Sequence, residues 1–103
     1  MFRRSRFGDL IGRQLDLFEL DHANVLRDVE ERRAKWNAAA REEAEELYGD
    51  YLDAVETGTE LLADMRDRFA LTLGEDDAER YRAEFDKAVL RRLRPFALEI
   101  ENR

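Results

Sequence analysis

The chain has 103 residues, a formal net charge of −7, 42% charged and 44% hydrophobic residues, and no cysteine. That length suits a single domain spanning 1–103. The missing cysteines exclude disulfides, thiolate zinc sites, iron–sulfur clusters and cysteine nucleophiles, and the acidity argues against nucleic acid, whose binding surfaces are basic.

A charge fraction this far above the roughly 25% of ordinary domains, with one proline and five glycines, points to helices with solvated faces. The basic charge rests on sixteen arginines and two lysines, Lys35 and Lys87, within a total of 18. No run of about 18 apolar residues spans a membrane. The first eight residues are basic without a following apolar core, so no secretory signal is expected and the cytoplasm is the expected compartment.

Residues 1–6 read as a mobile basic arm carrying Arg3, Arg4 and Arg6 between phenylalanines. Such an arm either touches an anionic partner or folds back on the chain's own carboxylates. Neither a membrane surface nor a nucleic acid is the expected partner.

The first helix is expected from about Phe7 to Trp36, capped by Gly8 or Asp9. Ile11, Leu15, Phe18, His22, Val25, Val29, Arg32 and Trp36 advance by four and three, the rhythm of one helix lying along another. Asp21 offers a competing start signal, but the seam keeps phase across it, which favours one continuous helix. A turn follows at Asn37 to Ala40, where asparagine tolerates the positive φ of a helix end.

The second helix is expected from about Ala40 to Leu73, with carboxylates in its first turns complementing the helix dipole. Its seam is Ala44, Tyr48, Tyr51, Val55, Gly58, Leu62, Met65 and Phe69. Two rods of about 45–50 Å joined by a short turn predict a long antiparallel hairpin. Gly58 on that seam marks either a tolerated kink or a close approach by another helix or by a ring such as Phe18 or Trp36.

Gly74 is expected as the residue ending the second helix. A third, shorter helix then carries Ala78, Tyr81, Phe85, Ala88, Val89 and Leu93, with Arg91, Arg92 and Arg94 near its end. Pro95 breaks helical geometry at Arg94, and residues 95–103 form a tail that is either a helical turn or extended chain. The fold class is therefore all-α: a long helical hairpin plus a shorter third helix. Apolar positions beyond a strict seam predict a homodimeric helical bundle. The candidate core and interface residues are Ile11, Phe18, Val25, Trp36, Tyr48, Tyr51, Val55, Gly58, Leu62, Met65 and Phe69.

No residue pattern points to catalysis, and no cofactor is implied. The lone histidine, His22, forms with Glu19 the Glu-x-x-His spacing found in carboxylate metal bundles. Glu56 and Glu60 on the second helix are the other candidate ligands in this alternative, a small metal- or ligand-binding bundle. The leading expectation is a non-enzymatic protein that acts by self-association or by binding a protein partner.

Overall fold

The computed structural model describes residues 6–103, all helix and connecting turn with no strand among them. Helix α1 spans Gly8–Asp21, α2 Ala23–Asn37, α3 Ala44–Ala70 and α4 Glu75–Arg92. A 3₁₀ turn at Arg94–Phe96 leads into a short α5, Ala97–Glu101. Arg3 and Arg4 of the basic arm lie outside the described residues.

The expected continuous first helix is broken in two. His22 leaves helical geometry at φ −122° and ψ 33°. Its N–H donates to Phe18 O at 2.9 Å and closes α1, while its carbonyl accepts from Val25 and Leu26 N–H to open α2. Neither proline nor glycine forces this break. The cause is tertiary: α2 packs on α3, whereas α1 packs on α4. The break buries Ile11, Leu15 and Phe18 to 2%, 1% and 0% exposure. Each such burial contributes about 1.5–3 kcal/mol, against about 1 kcal/mol for each helical hydrogen bond given up. Burial wins, and only α2 runs beside α3.

Other boundaries moved for related reasons. Phe7, not Gly8 or Asp9, is the residue that precedes α1, and its N–H donates to Glu84 Oε1 at 3.2 Å, tying the chain entry to α4. The turn after Asn37 extends to Glu43, so α3 begins at Ala44 rather than Ala40. Asn37 ends α2 without a positive φ, and no described residue adopts one. Gly74 does not terminate α3, which stops at Ala70. It is the extended residue before α4, at φ −65° and ψ 161°. Glu75, Asp76 and Asp77 then favour the start of α4 and Arg91 and Arg92 its end.

The core lies where α1, the C-terminal part of α3, α4 and the C-terminal turns meet. Phe18, Leu62, Tyr81, Phe85, Val89, Phe96 and Ile100 are at most 1% exposed. The tail after Pro95 is helical and inserts Phe96 and Ile100 into this core. Gly58 explains part of that insertion. A Cβ at Gly58 would lie 2.3 Å from the Phe96 ring. Close approach by a ring is the observed role of Gly58, and the ring is Phe96, not Phe18 or Trp36.

Two buried polar groups are fully engaged. The Thr59 hydroxyl donates to Val55 O at 2.8 Å. Arg66, 3% exposed, pairs with Asp86 and Asp67 at 2.9 Å each and donates to Ile100 O at 3.0 Å, so one guanidinium links α3, α4 and α5. Burial outweighs the arginine at Asp86 and holds its carboxyl above the usual range. At the more open Asp67, Arg66 and Arg82 outweigh burial and hold it below.

Gly58→Ala is expected to lower stability by about 1–2 kcal/mol, because forcing a methyl into a packed site costs more than the helix gains. Gly49→Ala, at an exposed position of the same helix with open space around it, is expected to raise it by about 0.5–1 kcal/mol. Urea unfolding of both variants reads the opposite signs.

Tyr81 gives a second expectation. Its buried hydroxyl donates to Gln14 Oε1 at 2.7 Å, and burial pushes its pKa from 10 up to about 12. Between those values the unfolded chain gives up this proton while the folded chain keeps it, so stability falls as pH rises. Unfolding measured from about pH 10 to 12 is expected to show a loss of up to about 2 kcal/mol from this group, absent in Tyr81→Phe.

Candidate interaction surface

Burial is unevenly distributed along α3. Every buried residue of this helix lies at Ala54 or beyond, and in α2 only Val29 is buried. From Glu30 to Asp53 not one residue is buried. Along this stretch α2 and α3 have each other, while the body of the molecule packs around the later half of α3. The molecule is correspondingly long, 50 × 29 × 23 Å.

That open stretch is not polar throughout. Trp36 lies against Tyr48 and Tyr51, with ring centroids 4.6 and 5.7 Å away, and the two tyrosines are 6.3 Å apart. Tyr48 is 40% and Leu52 43% exposed, one helical turn apart on α3. Aromatic groups that are ordered but half wet are typical of interface anchors. On the other side of the pair, Arg32 bonds Asp28 at 3.0 Å and Asp50 O at 2.9 Å, which gives that side a polar, self-satisfied character.

A cleft of about 470 Å³ continues from Tyr51 towards the corner between α4 and the 3₁₀ turn. Arg33, Arg91, Arg92 and Arg94 line it, with Pro95 beside them and Glu30 as its one acid. Arg33 is held by Glu30 at 2.6 Å. Arg92 turns to α1, pairing with Glu19 at 2.9 Å and with Asp16, and donating to Gly12 O at 3.2 Å. These carboxylates hold the Arg92 guanidinium more firmly protonated than usual. Among the described residues, Arg91 and Arg94 enter none of the ion pairs.

The sequence-predicted positions divide between core and surface. Ile11, Phe18, Val55, Gly58 and Leu62 are buried in the body. Val25, Met65 and Phe69 are half-buried, as are Trp36 and Tyr51 on the open stretch. Arg6 folds back on the chain: it pairs with Asp77 at 2.9 Å and covers the Phe7 ring at 5.5 Å. The charged corner at Arg91–Arg94 was legible only as a helix end, because the facing Arg33 is about 60 residues away in sequence.

The proposed metal ligands are not gathered into one site. Glu19 is engaged by Arg92, His22 leans on Phe18 with ring centroids 5.0 Å apart, and Glu56 lies 3.9 Å from Arg103. Glu60 is exposed on α3. Among the described residues, no three histidine, aspartate or glutamate side chains converge on a common point. Nor is any helix there long and apolar enough to cross a membrane. No protein-family model, curated protein or solved structure matches the chain.

Proposed function

We propose that this is a cytoplasmic, non-enzymatic helical protein that acts by association through the open stretch of its α2–α3 hairpin, and that a second copy of the chain is its first partner. The single observation that carries this reading is the unburied run from Glu30 to Asp53, which nevertheless contains Trp36, Tyr48, Tyr51 and Leu52. A helical hairpin two helices thick leaves one apolar flank uncovered, and pairing two hairpins into a four-helix layer covers it. The polar side around Arg32 and Asp50 is satisfied internally, which leaves the aromatic side as the one with free energy to gain.

Leu71, after α3, and Leu98, on α5, are exposed singly, whereas Leu17 and Leu20, 56% and 76% exposed, form a second apolar pair three residues apart on α1. Single exposed leucines need no partner. The Tyr48–Leu52 pair is different, since it continues an ordered ring cluster.

Sedimentation equilibrium from low micromolar to near-millimolar protein tests the reading. The mass is expected to rise from one protomer to two, with a concentration-dependent melting temperature. Tyr48→Ser and Leu52→Ser are expected to stay at protomer mass while keeping the helical content of the parent. A parent chain that remains a protomer throughout contradicts the proposal.

A further inference from the structure

We infer that the two copies pair about a two-fold axis near Tyr48, with the acidic start of α3 in each protomer seated in the arginine cleft of the other. This rests on the association proposed above and adds its orientation and its charge pairing.

The placement of charge along α3 carries the inference. At one end of the open stretch, Arg41-Glu42-Glu43-Ala44-Glu45-Glu46 holds four carboxylates and one guanidinium, a net −3. All five charged side chains are exposed, and none enters an ion pair among the described residues. At the other end lies the cleft with Arg91 and Arg94. Its height along α3 is fixed by two contacts: Tyr51 lines it, and Phe96, two residues past Arg94, packs on Gly58. Tyr48 lies between the two charged ends. At 1.5 Å per residue, Glu45 lies roughly 5 Å to one side, with Glu42 and Glu43 in the turn beyond it, and the level between Tyr51 and Gly58 lies roughly 5–15 Å to the other.

An acidic end and a basic end on opposite sides of an apolar centre form a self-complementary patch. A two-fold rotation about that centre places each acidic end over the partner's arginines and each Tyr48–Leu52 pair over its symmetry mate. This is the isologous condition, in which one patch serves as both halves of the contact. It also places two α3 helices antiparallel, as in helical bundles. On a chain of net charge −7, two approaching copies otherwise repel, so a local match of opposite charge is what makes self-pairing selective.

Two charge reversals test the inference. One variant carries Arg91→Glu with Arg94→Glu, the other Glu42→Arg with Glu45→Arg. All four positions are exposed and lie outside the ion pairs of the body, and circular dichroism checks that both variants fold. Each variant alone is expected to dimerise at least about tenfold more weakly than the parent, since the reversed side chains then face groups of their own sign across the axis. Mixed in equal amounts, the two variants are expected to form a heterodimer as tight as the parent dimer, because the unchanged acidic end meets an unchanged arginine cleft and the end made basic meets the cleft made acidic. A dimer indifferent to both reversals, or a mixture no tighter than its components, overturns this arrangement while leaving association through the aromatic face intact. A parent chain that never dimerises removes both readings.

Discussion

The interruption of helical hydrogen bonding at His22 determines how the rest of this chain is arranged. A continuous first helix would lie along α3 for the whole of its length and share its burial evenly. The break sends α1 to α4 instead, where its Ile11, Leu15 and Phe18 reach the core. The buried residues of α3 then all lie at Ala54 or beyond, where α4, the 3₁₀ turn and α5 complete the core, while its first ten residues bury no side chain. An asymmetric molecule results, well packed at one end and two helices thick at the other.

Charge follows the same division. In the packed end, guanidinium groups act as internal ties. Arg66 joins three helices from a buried position, and Arg92 binds α4 to α1 across two carboxylates. Such groups are costly to leave unpaired, and every buried side-chain nitrogen and oxygen among the described residues has a partner. In the thin end, Arg32 and Arg33 pair with Asp28 and Glu30 on their own helix, while the four carboxylates from Glu42 to Glu46 are exposed and enter no ion pair among the described residues. The first arrangement specifies a fold.

Much of this was legible in sequence. The seam of α3 from Val55 to Leu62 and that of α4 from Ala78 to Val89 are core positions, because a period near 3.6 is imposed by one-sided burial wherever it occurs. What the periodicity could not reveal is which partner each seam faces. The seam from Ile11 to Trp36 keeps phase across His22, yet its two halves serve different neighbours. Ala54, Ala63, Arg66 and Ala70 are buried on the other flank of α3, but small or charged side chains carry no hydrophobic signal of a second contact. Gly58 announced a close approach without identifying Phe96, since that contact joins residues 38 positions apart. The arginine cleft was unreadable for the same reason: its charges come from α2, α4 and the turn beyond it.

Nuclear magnetic resonance on a mixed sample, half isotope-labelled and half unlabelled, addresses the central claim directly. Filtering for contacts between copies is expected to show the Tyr48 ring of one chain against Leu52 methyl groups of another. Contacts of Tyr48 confined to Trp36 and Tyr51 of its own chain, at concentrations where the labelled protein is fully folded, would contradict it.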